Sequence, residues 1–335
     1  MTENKKISVG FLVFPDFPMA CLTSMIEPLR AANEIVGYEA FDWKIVSEDG
    51  ATVTSSARVM FQADLELQET ESLDQLYLLS GPSSEFAHPV PSRGKLRKLE
   101  RHGALLGAIS GGIFPLARSG LLEGVTTSVH WCYATAFTQE FPEHPATDDV
   151  IALGPRRATA SGAAAAFDLA LHMIGDKLGE DVATEVACWF QHPLVRGEGV
   201  IQKVPTVSNQ STDDMLPPIV RQAVEIFATH IEDPINVADA ASVIGVSVRQ
   251  LERMFKRTTG KSPLHYYRAM RMKAAKQLVL YSKDNMTEIA LAVGYASSTP
   301  MIQNYEEVFG IHPTADREKI NLFRVRDNAV VPRAS

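Results

Sequence analysis

Cysteine is scarce: the 335 residues hold three, Cys21, Cys132 and Cys188. They are far apart and odd in number, which excludes a disulfide framework and every C-x-x-C metal site. Reduced thiols, as in the cytoplasm, are expected. Long apolar runs are absent too. The longest uncharged apolar stretch, residues 103–117, is too short and too glycine-rich to span a bilayer. The charged N-terminal residues lead into no secretory signal pattern. Nor is there an excess of positive charge over the whole chain, with 32 Lys+Arg against 40 Asp+Glu and a net charge of −8. At 45% hydrophobic and 21% charged, the composition is not that of a disordered chain. No metal, cofactor or membrane partner is expected.

The charge that is present is unevenly divided. Residues 1–205 carry 16 basic against 26 acidic side chains, and residues 206–335 carry 16 against 14. Within the second part, residues 245–283 hold ten basic residues and one acid, Glu252. Such a block is the footprint of a phosphate-binding surface, and a solvated helix face would show it as well. Between the halves, Thr206-Val-Ser-Asn-Gln-Ser-Thr-Asp-Asp is polar and unpatterned and precedes Pro217-Pro218, which reads as a linker. The expected organisation is an α/β domain over 1–205, a linker over 206–216, a helical domain over 217–320 and a tail over 321–335.

In the first half, short apolar runs at 7–14, 75–79 and 104–109 each end in Gly, Pro, Ser or Asp, as buried parallel strands do. Helical patterns lie between them at 19–33, 92–102, 113–119, 163–177 and 181–190. Residues 158–167 read as a turn entering a helix. The alternation predicts a doubly wound, flavodoxin-like α/β fold, with ligands bound beyond the carboxyl ends of the strands. The segment Gly107-Ala-Ile-Ser-Gly-Gly-Ile-Phe-Pro-Leu-Ala runs a strand into Ser110, then two glycines, then a helix. That is the pattern of a nucleophile elbow, with a helix N-terminus aimed at a bound anion. Glu27 sits on the first helix, and His130 and Trp131 follow downstream.

These pieces, in order, resemble the ThiJ/PfpI, class-I glutamine-amidotransferase-like domain, and more narrowly the version fused to regulators of the GlxA type. The match rests on Glu27-Pro28-Leu29-Arg30 with Asn33, Ser47-Glu48-Asp49-Gly50, the elbow, Leu116-Ala117-x-x-Gly120-Leu121-Leu122-x-Gly124, and Thr127-x-x-His130-Trp131. Enzymes of that family usually carry cysteine at the elbow, with a glutamate and a histidine nearby. The resemblance places Ser110, Glu27 and His130 at those positions. Serine has little nucleophilicity without an activating base. A retained pocket that binds without turnover is therefore expected, formed by Glu27, Ser110, His130 and Trp131. A hydrolase using a Ser110–His130 dyad is the alternative. Taken singly, Glu27 also fits a surface helix, His130 a satisfied imidazole and Trp131 a core residue.

In the second half, residues 217–231 have helical apolar spacing. Asn236 can cap a helix that Gly245 ends, and Ser247 starts another with Gln250 as capping-box partner. At about 100° per residue, Val248, Leu251 and Phe255 form a buried stripe, while Arg249, Arg253, Lys256 and Arg257 share the outward arc. A recognition helix in the major groove needs that arrangement. After a long helix bearing Arg268, Arg271, Lys273 and Lys276, the pattern recurs. Here Met301 and Tyr305 turn inward, and Thr299, Gln303, Glu306 and Glu307 turn outward. Val246-Ser-Val-Arg-Gln-Leu-Glu-Arg-Met-Phe, Gly260-Lys-Ser-Pro-x-x-Tyr-x-x-x-x-Arg271, Glu288-Ile-Ala-x-x-x-Gly-Tyr and Phe309-Gly-Ile-His-Pro resemble the AraC/XylS-type DNA-binding domain.

The DNA contacts expected are Ser247, Arg249, Gln250, Arg253, Lys256, Arg257, Thr299 and Gln303. Together the two resemblances imply a cytoplasmic transcription regulator, not an enzyme. They imply an activator working with RNA polymerase on promoter DNA, forming a homodimer. Its effector would be small and nitrogenous: a betaine, carnitine or amino-acid-like molecule.

Overall fold

The computed structural model describes residues 6–192, 196–202 and 216–323. The chain divides into two compact units, the first ending at Gln202 and the second at Leu322. The expected linker, apart from Leu216, and the tail beyond Phe323 lie outside the described residues.

In chain order the strands are β1 (Ile7–Val13), β2 (Phe41–Ser47), β3 (Val53–Thr54), β4 (Met60–Phe61), β5 (Leu65–Glu66), β6 (Gln75–Ser80), β7 (Leu105–Ser110), β8 (Thr127–Ser128), β9 (Ala146–Thr147), β10 (Ile151–Leu153) and β11 (Arg157–Ala160). The helices of the same unit are α1 (Met19–Val36), α2 (Pro89–Arg101), α3 (Ile113–Arg118), α4 (Ala134–Glu140), α5 (Ala163–Leu178) and α6 (Glu180–Trp189). The main sheet has the order β10-β11-β7-β6-β1-β2-β5 and is parallel except for β10. The doubly wound α/β fold is thus present.

Side chains alternate across β6. Tyr77 and Leu79 pack into one core with Val9 and Phe11 of β1 and with α1, α5 and α6. Leu76 and Leu78 point to the other face and are equally buried. Both faces are therefore covered, which explains the unbroken apolar runs of β1, β6 and β7. Strand order reverses between β1 and β6, so the switch-point crevice opens beside Phe14, whose N–H donates to the Leu79 carbonyl at 3.1 Å.

The three apolar runs are β1, β6 and β7; the other strands and α4 go unread in the sequence, and β2 and β11 show why. β2 interleaves Asp42 and Lys44 with apolar residues and has no continuous run to betray it. β11 falls partly in the stretch read as a turn. Its Ala158 and Ala160 are small where α5 packs over them, so a low-hydrophobicity strand is buried over residues 158–160.

Asp168 ties the end of this unit back to α5. It is completely buried. Its carboxylate accepts from the Arg196 N–H at 3.0 Å and Arg196 Nε at 2.8 Å, and it bonds His192 Nε2 at 2.9 Å. Removing one partner of such a cluster strands the others in low dielectric. Asp168→Ala should cost the first unit about 3 kcal/mol of stability, read from its urea midpoint. An unchanged midpoint would show that the cluster contributes nothing.

The second unit is helical: α7 (Pro218–Thr229), α8 (Val237–Ile244), α9 (Val248–Thr259), α10 (Pro263–Tyr281), α11 (Met286–Ala292), α12 (Ser298–Phe309) and α13 (Pro313–Phe323). Phe227 stacks on Tyr267 at 4.3 Å, and Phe255 meets Tyr266 edge-on at 5.5 Å, within a core that also holds Val220, Ala241 and Leu251. Asn236 caps α8 through the Asp239 N–H at 2.9 Å, and left-handed Gly245 closes it. Ser247 then caps α9 through the Gln250 N–H at 3.2 Å. The full reciprocal capping box occurs at α11, between Asn285 and Glu288.

Candidate nucleic-acid interface and effector site

On α9, Leu251 and Phe255 are buried, while Arg249, Gln250, Arg253, Lys256 and Arg257 are exposed. None of the four cations forms an ion pair among the described residues. Ser247, Arg249, Gln250, Glu252, Arg253 and Lys256 line an open groove of about 590 Å³. The outward arc of the helical wheel read from sequence is therefore realised, but Val248, expected in the buried stripe, is 37% exposed at the first turn of α9. Glu252, counted there only as a charge, also stands in the groove.

The rest of the basic block is partly consumed inside the unit. Arg271 donates to the carbonyls of Val293 (2.8 Å) and Gly294 (2.6 Å) and lies 4.2 Å over the Tyr295 ring. Lys276 pairs with Asp316 at 3.1 Å and sits 4.5 Å over Phe309. These two cations hold helices together, so the count of ten overstates the charge available to DNA.

On α12, Met301 and Tyr305 are buried, and Thr299, Gln303, Glu306 and Glu307 are exposed. Tyr305 donates to Asp316 Oδ2 at 2.7 Å. Pro300 lies in the first turn, where N–H groups lack intrahelical partners. The outward face of the second recognition helix is thus acidic where the first is basic.

In the first unit, β7 ends at Ser110 in the left-handed region, at φ +57°. The elbow is present. A Cβ at Gly112 would overlap the Leu78 carbonyl, and one at Gly111 would overlap Gly81 and Ser80, so the two glycines are required by close backbone approach. The helix behind the elbow, α3, has only six residues. The anion site expected at its N-terminus gains little support from so short a dipole.

The side chain that α1 brings to Ser110 is Cys21, whose thiol burial pushes up to about 12. Glu27 lies six residues further on, about 120° around and about 9 Å along the helix. Its half-exposed carboxylate accepts from Arg30 Nε at 3.0 Å. The structure does not bring Glu27 to the elbow. The inward stripe Cys21, Leu22, Met25 and Leu29 was the signal for Cys21.

His130 does stand beside the elbow. The register Ala160↔Ile109 carries β11 alongside β7, which places Ser161 next to Ser110 and Gly162 one step beyond. A Cβ at Gly162 would come within 3.2 Å of His130 Cδ2. Nδ1 of His130 accepts from the Cys132 N–H at 3.2 Å and lies 2.9 Å from its Sγ. Burial lowers the pKa of His130. The Trp131 and His130 rings are 5.5 Å apart, and the Trp131 N–H donates to Gln202 Oε1 at 3.0 Å. Gln202, buried and also bonded to the Val129 carbonyl at 2.8 Å, was not singled out in the sequence.

A separate cavity of about 460 Å³ opens at the ends of β1 and β2, lined by Phe14, Asp16, Glu48, Asp49, Glu85 and His88 among others, and by none of Glu27, Ser110, His130 and Trp131. Glu48 is not free there. It accepts from the N–H groups of Ala87 (2.7 Å) and His88 (2.9 Å) and from Ser92 Oγ (2.6 Å), fixing the start of α2. Among the described residues no His/Cys/Asp/Glu group could hold a metal, and no helix is long and apolar enough to cross a membrane.

Two capped helix pairs with an exposed cationic recognition face, joined to a doubly wound α/β unit, define a DNA-binding protein of helix-turn-helix type. A family profile described as "Helix-turn-helix domain" matches residues 240–319. The HTH-type transcriptional regulator GbdR of Pseudomonas aeruginosa is 31% identical over 93% of this chain and 84% of its own. The HTH-type transcriptional regulator GlxA of Rhizobium meliloti is 31% identical over 93% of this chain and 95% of its own. The chain belongs to the AraC-family transcriptional regulators of this GlxA/GbdR type. Among solved structures, an AraC family transcriptional regulator from Pseudomonas putida is similar over 55% of this chain and 99% of its own, with 25% identity and a TM-score of 0.48. A ThiJ/PfpI family protein from Pseudomonas syringae is similar over 72% and 91%, with 18% identity and a TM-score of 0.48.

Proposed function

We propose that the chain is a one-component regulator in which a small nitrogenous metabolite, betaine-, carnitine- or amino-acid-like, binds beside the elbow and controls promoter binding by the helical unit. The reading takes residues 1–205 as sensor and 217–320 as reader. It takes the protein as a cytoplasmic homodimer that activates transcription through RNA polymerase. DNA contacts are assigned to Ser247, Arg249, Gln250, Arg253, Lys256 and Arg257, with Thr299 and Gln303 on the second helix. The observation that carries the reading is the row of four cations on α9 that form no ion pair among the described residues, on the same chain as an intact elbow without cysteine. Ser110, His130 and Trp131 are the effector residues. Glu27, facing Arg30, is left to a structural role.

Catalysis is disfavoured on chemistry. A serine needs a base, and the bare nitrogen of His130 already accepts from Cys132. Ser110→Ala should therefore retain metabolite-dependent promoter activation, with the half-response concentration moved by no more than one lost hydroxyl hydrogen bond to the ligand, whereas Trp131→Ala should raise that concentration about tenfold, the scale of one lost aromatic–cation contact. A reporter titrated with glycine betaine, carnitine and arginine measures both. Loss of the response in Ser110→Ala, together with substrate turnover by the parent chain, would favour the hydrolase.

A further inference from the structure

We propose that His130 is a fixed hydrogen-bond donor, through Nε2–H, to a carboxylate on the ligand, and that Cys132 is the positioning residue that sets this tautomer. The inference rests on the reading of the elbow as the effector site and specifies the chemistry recognised there. The backbone N–H of Cys132 can only donate, and it points at Nδ1 from 3.2 Å. Nδ1 therefore carries a lone pair. The Cys132 thiol, 2.9 Å from the same nitrogen, adds a second donor. Burial holds that thiol protonated and disfavours the imidazolium. A neutral ring with Nδ1 bare has its proton on Nε2.

The Nε2 edge faces Gly162, where a Cβ would stand 3.7 Å away, so the glycine leaves that edge uncovered. The ring is half-buried, and Nε2 has no hydrogen-bond partner among the described residues. It can offer a proton and cannot accept one. A carboxylate makes a shorter and stronger bond to such a donor than a neutral acceptor does. An ammonium or quaternary ammonium end gains nothing from this donor and would turn instead to the Trp131 ring alongside.

The test uses the full chain labelled with ¹⁵N at histidine, with His130→Gln to assign the signals, at pH 7.5. Long-range ¹H–¹⁵N spectra should show His130 protonated at Nε2 and bare at Nδ1. Cys132→Ala should weaken that preference without unfolding the chain. Glycine betaine and L-arginine are then compared with choline and agmatine, which lack the carboxylate. The carboxylate-bearing probes should shift the Nε2–H resonance and bind about tenfold or more tightly than their counterparts. A proton on Nδ1, an Nε2–H resonance unmoved by both carboxylates, or equal shifts from the carboxylate-free amines would each overturn the inference. Should promoter binding ignore every metabolite, the effector reading fails, and the tautomer spectrum still decides the role of His130.

Discussion

Gly112→Ala should abolish or severely weaken folding of the first unit. The residue sits at φ −57°, a conformation alanine adopts freely, so the expected damage does not come from backbone preference. It comes from contact. The added Cβ would occupy the space of the Leu78 carbonyl oxygen and approach the Ile109 oxygen at 3.1 Å. Both neighbours are backbone in the adjacent central strands β6 and β7, registered to each other through Leu78↔Ala108 and Leu79↔Ile109, and neither can rotate away. Overpacking against movable side chains costs about 1–3 kcal/mol, so an immovable ladder should cost about 3 kcal/mol or more. Total stability is about 5–15 kcal/mol, so that loss is visible in any denaturation curve. Gly94→Ala is the control. Gly94 lies inside α2 with nothing within 4 Å of a new Cβ, and alanine there should stabilise by about 0.5–1 kcal/mol. Urea unfolding of both variants, followed in the first unit, checks the pair. Equal midpoints would mean that the elbow is looser than the close approach of β6 and β7 requires.

Arg253→Ala should weaken operator binding by roughly 1–3 kcal/mol, the value of one base-reading contact. Gln303→Ala, at the matching position of the second helix, should cost less. Combining Glu306→Gln with Glu307→Gln should tighten binding, most visibly at low salt. The cause is the sign of the two outward faces. α9 offers Arg249, Arg253, Lys256 and Arg257 in the open, whereas α12 offers Thr299, Gln303 and two carboxylates. Phosphate neutralisation supplies much of DNA affinity, so carboxylates near the backbone oppose it, although a glutamate can accept from cytosine. Anisotropy titrations on a DNA fragment selected by the full chain compare the variants. A larger loss for Gln303→Ala than for Arg253→Ala would make the second unit the dominant reader.

Legibility in the sequence followed the physics of each part. Most of the helical unit is legible, because caps, left-handed glycines and apolar stripes are local signals, although Val248 is exposed where the wheel turns it inward and α13 continues into the expected tail. Ser247, Gly245, Leu251 and Phe255 announce themselves within a dozen positions. The elbow was legible for the same reason: Ser110-Gly111-Gly112 after an apolar run has few other uses. What surrounds the elbow was not. Cys21 reaches Ser110 because α1 packs on the sheet at a particular rotation, which spacing along the chain does not encode. Glu27, assigned to the site by the family resemblance, sits on another side of that helix, paired with Arg30. Gln202 reaches Trp131 and Val129 from more than 70 residues away. The charge block misled in one respect, since Arg271 and Lys276 are chemically indistinguishable from DNA-facing cations until their partners Val293, Gly294 and Asp316 are located.

The central claim, that the α9 face docks on DNA phosphates and bases, is tested most directly by the salt dependence of operator binding in the full chain and in Lys256→Ala. If α9 lies against the duplex, the logarithm of the association constant falls steeply with the logarithm of salt concentration. Removing Lys256 then reduces that slope by about one while weakening specific and non-specific DNA alike. A slope that is the same in both proteins would contradict the assignment and place the DNA on another face.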